Sequence, residues 1–393
     1  MGESREIFYI PLIYSVNMTG AEKERYTVTP WEVRGDIDYD ELVERFGTSR
    51  VDDELKTRLE KLAGDLHFML RRNIFYSHRD MNWLLDEYEK GNKFALYTGR
   101  GPSGHTHVGH LMPWIFARWL QEKLGVELYF QLTDDEKYLF NFDLEMEDTH
   151  SYALENALDI IALGFDPEKT HIFVDTDYIH TLYPLALKVA KRVNFSTVKA
   201  VFGFDNSTNV GSIFYTAMQS APCFLPSERE GRMVPVLIPC GIDQDAHFRV
   251  TRDVANTIGY HKPALLYNKL APSLDGSGKM SASVPKTTIF TTDTPGDVDS
   301  KVAEAFTGGC MSAKEQREKG GNPHICAVQN YRFFLFEEDD SVVESIAQRC
   351  RSGELLCGEC KNLLKDSIKS FLKEHQARRE DARNKLDMFL LKD

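Results

Sequence analysis

Along the chain, short apolar runs alternate with helical patterns, and each run stops at a cluster of polar residues. Phe94-Ala95-Leu96-Tyr97-Thr98 is broken by Gly99-Arg100-Gly101-Pro102-Ser103-Gly104, and a helical pattern follows with Leu111, Ile115, Trp119 and Leu120. Val126, Leu128, Phe130 and Leu132 alternate with other positions before Thr133-Asp134-Asp135, residues suited to capping a helix. Tyr152 to Leu163 reads as a helix, and His171 to Val174 as a strand ending at Asp175. Pro235 to Pro239 ends at Gly241-Ile242-Asp243-Gln244-Asp245, and Ala264 to Tyr267 is the last such run. Strands alternating with helices predict an α/β fold, a doubly wound parallel sheet with helices on both faces.

Around this unit, set at 86–294, the texture differs. Residues 1–85 read as an appended segment: strands at Ile7–Val16 and Thr27–Trp31 forming a hairpin, then helices at Asp52–Leu70 and Asp80–Tyr88. Residues 181–230 interrupt the alternation and read as a helical insertion. After about residue 295 strands vanish. Val298–Phe306, Tyr331–Glu337, Val342–Arg349 and Leu355–Leu391 predict an all-helical C-terminal domain, 295–393.

In sheets of this kind ligands bind beyond the carboxyl ends of the strands. The polar clusters sit at those ends, which predicts one shared crevice. The chain's 393 residues exceed what a single core supports. Its 42% apolar content is ordinary for a folded protein, and no run is long enough to cross a membrane. The N-terminus has no secretory pattern, and seven scattered cysteines read as reduced thiols of a cytoplasmic protein. Cys350, Cys357 and Cys360 include a C-x-x-C pair, with His375 downstream. Zinc needs four well-placed ligands and no second pair matches, so no metal site is expected.

Two motifs carry the chemistry. His107-Val108-Gly109-His110 opens the helix after the first strand and its glycine loop, where backbone N–H groups and the helix N-terminus favour phosphate. Lys279-Met280-Ser281-Ala282-Ser283 lies in a loop after the last strand, flanked by Gly276-Ser277-Gly278. A histidine pair is by itself more often structural, and a basic loop is ordinary. In this order and context the two resemble the signature pair of class I aminoacyl-tRNA synthetases. With Tyr97 to Ser103, Thr133 to Tyr138, Ile238 to Cys240 and Ile242 to Asp245, the chain from about Trp31 onward resembles tryptophanyl-tRNA synthetases of the eukaryotic and archaeal type.

The resemblance implies a Rossmann-like catalytic domain followed by a helical anticodon-binding domain. It implies ATP contacts at Thr98, Gly99, Arg100, Gly101, His107, Gly109, His110, Lys279, Met280 and Ser281, with His107, His110, Lys279 and Ser281 catalytic. Tyr97 and Gln131 match the pair that takes the indole N–H, Glu136 and Gln219 the residues that hold the α-ammonium, and Gln244 a residue near the carboxylate. It further implies Mg²⁺ with ATP, L-tryptophan and tRNA(Trp) as substrates, a homodimer through 181–230, an N-terminal hairpin over the ATP site, and no membrane partner. The related tyrosyl enzymes carry an Asp three residues after the Gln matched by Gln219; here that residue is Pro222, which cannot accept a phenol hydrogen bond. Tyrosyl-tRNA synthetase is therefore the lesser alternative. A nucleotidyltransferase of the same superfamily and an inert synthetase-like RNA-binding protein are more remote ones. Where the family's common loop has a second lysine, this chain has Ala282.

The net charge of −13 argues against broad nucleic-acid binding. It is uneven, however: residues 341–393 hold eleven Lys/Arg against nine Asp/Glu, a local +2, so residues 1–340 carry −15. Lys361, Lys365, Lys369 and Lys373 recur along one helical stripe, and Lys365 and Lys369 are expected to meet the tRNA backbone.

Overall fold

The protein is described here by a computed structural model covering residues 26–28, 33–35 and 37–393. Strands β1 (Tyr26–Val28) and β2 (Val33–Gly35) pair antiparallel. The hairpin thus joins 26–28 to 33–35; the strand expected at Ile7–Val16 lies outside the described residues. The main sheet has seven strands: β3 (Ser49–Arg50), β4 (Phe75–Arg79), β5 (Ala95–Arg100), β6 (Glu127–Leu132), β7 (Thr170–Val174), β8 (Val236–Gly241) and β9 (Ala264–Asn268). Their order is β3-β4-β9-β8-β5-β6-β7. The five strands from β9 to β7 are parallel, and β4 and β3 add antiparallel strands at one edge. The segment read from sequence as a separate appendage therefore supplies the sheet's edge.

Side chains alternate between two cores, one on each face, as the pleat requires. On β6, Leu128 and Phe130 enter one core and Tyr129 the other; on β9, Leu266 and Leu265 divide likewise. Both faces are covered, which is why these strands read as nearly continuous apolar runs. The order reverses at β5, which is flanked by β6 on one side and β8 on the other. That switch point opens a crevice at the strands' carboxyl ends.

The helices follow the predicted pattern with displaced ends. Asp53–Ala63 stops at Gly64, which adopts φ +86°, so the expected Asp52–Leu70 helix is broken and resumes briefly at Phe68–Arg71. Between β7 and β8 lie helices Ile179–Ala190, Phe195–Phe202, Val210–Met218 and Leu225–Glu230. The C-terminal region adds Ala313–Lys319, unforeseen in the sequence, and a 27-residue helix, Cys357–Arg383. That long helix inserts Leu364, Ile368 and Leu372 into the same core that β6 enters. Buried His375 meets Asp159 at 3.0 Å, and Arg379 meets Asp159 at 3.2 Å and Glu155 at 2.6 Å. After it, Leu391 donates its N–H to the Ile172 carbonyl at 2.7 Å, so the chain's end runs along β7. The helical region and the sheet share one continuous core, with no gap at residue 294.

Candidate active site

The crevice at the switch point holds about 590 Å³ and is lined by the ends of β5, β6, β8 and β9. It brings together Thr98 to Gly101, His107, Gly109, His110, Glu136, Gln219, Gln244 and Lys279 to Ser281, with Tyr97 at its floor. Gln131 is buried directly behind Tyr97.

At the apolar end, the Tyr97 hydroxyl donates to Gln131 Oε1 at 2.5 Å. The two side chains come from neighbouring parallel strands, β5 and β6. Gln219 Nε2 donates to the Tyr97 hydroxyl oxygen at 2.9 Å, and the Tyr215 hydroxyl donates to Gln219 Oε1. Gln219 thus joins the Tyr97 cluster, and it lines the same crevice as Glu136. Phe248 stands edge-on to the Tyr97 ring at 6.1 Å. Burial holds the Tyr97 phenol well above its ordinary pKa, so it stays protonated.

One helical turn beyond β6, Glu136 accepts from the Thr133 hydroxyl at 2.6 Å and from Lys137 Nζ at 2.7 Å. Burial pushes this carboxyl up, but Lys137 and Thr133 outweigh it and hold the group below its usual pKa. Glu136 is an anion that can hold a cation. Gly101 makes room for the pair: a Cβ there would lie 2.0 Å from Lys137 Cε and 2.8 Å from Glu136 Oε2.

At the polar end, His107 and His110 stack with ring centroids 3.4 Å apart. The His107 backbone N–H donates to His110 Nδ1 at 3.2 Å, which leaves the His110 proton on Nε2. Burial lowers the His107 pKa to about 3 and that of His110 well below its usual value. The pair is therefore neutral and offers hydrogen-bond donors, not charge. Arg100 is half-buried, and desolvation lowers its pKa to about 10, so it remains a cation; its Nε donates to Asn156 at 3.2 Å and its Nη2 has no partner. Lys279 lies 3.5 Å from Asp243 across the crevice. Its loop is pinned by Met280 N–H to the Ala271 carbonyl at 2.7 Å and by Thr288 Oγ1 to the Ser281 carbonyl at 2.7 Å. Gly109 lets that loop approach the histidine helix, since a Cβ there would be 3.1 Å from Ala271 Cβ. Orphaned donors on Arg100 beside two neutral imidazoles and a lysine suit a polyphosphate. Among the described residues, no group of three His, Cys, Asp or Glu is arranged to hold a metal ion by itself.

Other sequence candidates lie elsewhere. Lys369 pairs with Asp299 at 2.6 Å, Lys365 is 3.9 Å from the same carboxylate, and Lys361 donates to the Ala303 carbonyl at 2.7 Å. These three lysines face the helix Pro295–Ala303, whereas Lys373 is exposed. All seven cysteines are free thiols; Cys350, Cys357 and Cys360 join Cys326 around a small cavity, while His375 is turned away to Asp159. The sequence reading placed Asp135 and Asp175 in the polar clusters at the strand ends but gave them no role in the site. Both are held above the usual carboxyl pKa by burial, and Asp175 lies under Gln131. Their positions at the ends of β6 and β7 were the available signal.

Residues 89–373 match the family model for class I tRNA synthetases of the W and Y type. The chain is 51% identical to the tryptophan–tRNA ligase of Pyrobaculum calidifontis, over 94% of this chain and 98% of that one. It is 48% identical to the Saccharolobus solfataricus tryptophan–tRNA ligase, covering 93% and 95%. Its fold superimposes on the crystal structure of Plasmodium falciparum tryptophanyl-tRNA synthetase with a TM-score of 0.83 at 40% identity, covering 88% and 94%. The tryptophan-bound enzyme of Encephalitozoon cuniculi gives 0.83 at 35% identity, covering 91% and 98%.

Proposed function

The chain belongs to the class I tRNA synthetases of the W and Y type, and from that premise we propose how its crevice divides the work of the reaction. It is a ligase that activates tryptophan with ATP and transfers it to tRNA. The tryptophan carboxylate attacks the α-phosphorus, a P–O bond forms, and the bond to the departing pyrophosphate breaks. A ribose hydroxyl of the tRNA end then attacks the acyl carbon and releases AMP. No covalent enzyme intermediate is required, so the protein's part is positioning and charge stabilisation.

In this reading Tyr97 and Gln131 take the indole N–H, Glu136 holds the α-ammonium, and Gln244 lies near the carboxylate. Arg100 and Lys279 stabilise the phosphates, with His107 and His110 as neutral donors and Ser281 and backbone N–H groups around them. Mg²⁺ enters with ATP as part of the substrate. The observation that carries the amino-acid assignment is the polar pair at the apolar end of the crevice, Tyr97 against Gln131, with Glu136 one turn away. A site built to pair a ring N–H rejects analogues that leave its buried groups unpaired, by about 10⁴–10⁵ in favourable cases. Tryptophan-dependent ATP–pyrophosphate exchange tests it directly: tryptophan is expected to support exchange and tyrosine to give less than about one-thousandth of its kcat/KM. Comparable rates with the two would overturn the assignment.

We also propose a homodimer in the cytoplasm, where its tRNA substrate is used. Ile179, Tyr183 and Leu187 recur every four residues along one helix with exposures of 41, 47 and 45%, and exposed Phe195 and Val210 belong to the same insertion. An apolar stripe of this kind suits an isologous contact. The wild-type chain is expected to sediment at about twice its 45.0 kDa. Tyr183→Asp with Leu187→Asp should sediment as a folded monomer. A monomeric wild type would reject the dimer.

A further inference from the structure

A glutamine amide is nearly symmetric in shape, with an acceptor on one branch and two donors on the other. What Gln131 presents to a ligand therefore depends on what fixes its orientation. We propose that Asp175 is that positioning residue: from the end of β7 it holds the Gln131 amide so that acceptors, not donors, face the aromatic ring of the substrate. The inference rests on the reading of Tyr97 and Gln131 as the partners of the indole N–H.

The geometry is specific. Gln131 Nε2 lies 2.9 and 2.8 Å from the two oxygens of Asp175. Asp175 is fully buried, and its own backbone N–H is fixed to the Leu132 carbonyl at 3.0 Å. An ionised carboxylate only accepts, and a protonated one still keeps an accepting oxygen. Asp135 stands beside Asp175; burial raises both carboxyls, and the charge of Asp135 adds to the rise at Asp175. A proton held between them occupies the pair without competing for Gln131.

The remaining donors are spent in the same sense. The Tyr97 hydroxyl donates to Gln131 Oε1, and Gln219 Nε2 donates to the Tyr97 oxygen. Gln219 Nε2 also reaches Gln131 Oε1, but only at 3.5 Å, so a free lone pair on Tyr97 Oη and a weakly engaged one on Gln131 Oε1 are what the cluster has left to offer. Turning the Gln131 amide over would set its oxygen against Asp175 and its N–H groups toward the donors of Tyr97 and Gln219. Asp175 makes that state unfavourable. It touches no substrate; it acts through Gln131.

The test compares tryptophan with its benzothienyl analogue, in which sulfur replaces the ring N–H, in ATP–pyrophosphate exchange. The wild type is expected to favour tryptophan strongly in kcat/KM. In Asp175→Asn the new amide can donate to a turned-over Gln131. The preference should fall at least about tenfold, the worth of one such hydrogen bond, through the KM for tryptophan with the KM for ATP unchanged. Asp175→Ser, whose smaller side chain also donates and accepts, should behave alike and serves if the first variant does not fold. A merely structural role would weaken both substrates together, and an unchanged ratio in a folded variant overturns the assignment. A wild-type ratio near one instead overturns the reading of Tyr97 and Gln131 on which it rests.

Discussion

Lys279→Ala is expected to slow tryptophan-dependent ATP–pyrophosphate exchange by about 10²–10³-fold, the range for losing one preorganised donor to a developing charge. The KM for tryptophan should change less than about threefold, since every group assigned to the amino acid lies elsewhere in the crevice. The size follows from a count of charges. The cations lining the crevice among the described residues are Arg100, Lys137 and Lys279. Lys137 is committed to Glu136 at 2.7 Å. His107 and His110 are neutral because burial holds their pKa values far below the assay range. Where the family's common motif has a second lysine, Ala282 supplies nothing. Two cations remain for the phosphates, and removing one leaves Arg100 alone. Stability should hardly move, because Lys279 makes only a 3.5 Å contact and is 29% exposed. Single-turnover adenylate formation would separate this from slow product release. Exchange at the wild-type rate would remove Lys279 from the chemistry.

That charge count also marks how far the sequence could be read. The five parallel strands were legible because each is an apolar run that stops at a polar cluster, and those clusters are the crevice. The antiparallel strand Phe75–Arg79 was not, because its residues combine aromatic, polar and basic types with no alternation, yet four of the five are buried. Its identity as a strand comes from β9 alongside it, which pairs Phe75 with Asn268 from far along the chain. The lysine stripe at 361–373 was legible as a face, but periodicity does not give what that face meets within the chain. Asp299, on another helix, decides that. The neutrality of the histidines was equally invisible, because burial and not residue type sets it. The roles of Tyr97, Gln131 and Glu136 came from motif resemblance; Asp175 was legible as the polar end of a strand, but its contact with Gln131 could come only from the fold.

The second large effect is expected at the other end of the substrate. Glu136→Gln should raise the KM for tryptophan by about 10²-fold, with the KM for ATP nearly unchanged. A hydrogen bond to a charged group contributes about 1.5–3 kcal/mol. The carboxylate opposite an α-ammonium contributes through both charge and hydrogen bonding, and a neutral amide keeps only a dipole. Lys137 adds to the loss. In the wild type its ammonium is neutralised by Glu136; in the variant it stays uncompensated beside the α-ammonium and repels it. The glutamine is isosteric and can still accept from the Thr133 hydroxyl, so the fold should persist and circular dichroism should be unchanged. Glu136→Asp keeps the charge but draws it back by one methylene, and should fall between the two. Raising ionic strength should weaken tryptophan binding to the wild type little, because Glu136 is only 14% exposed and partly buried pairs are screened less. If Glu136→Gln binds tryptophan within about threefold of the wild type, the carboxylate does not hold the ammonium. Its contacts with Thr133 and Lys137 would then be its whole role.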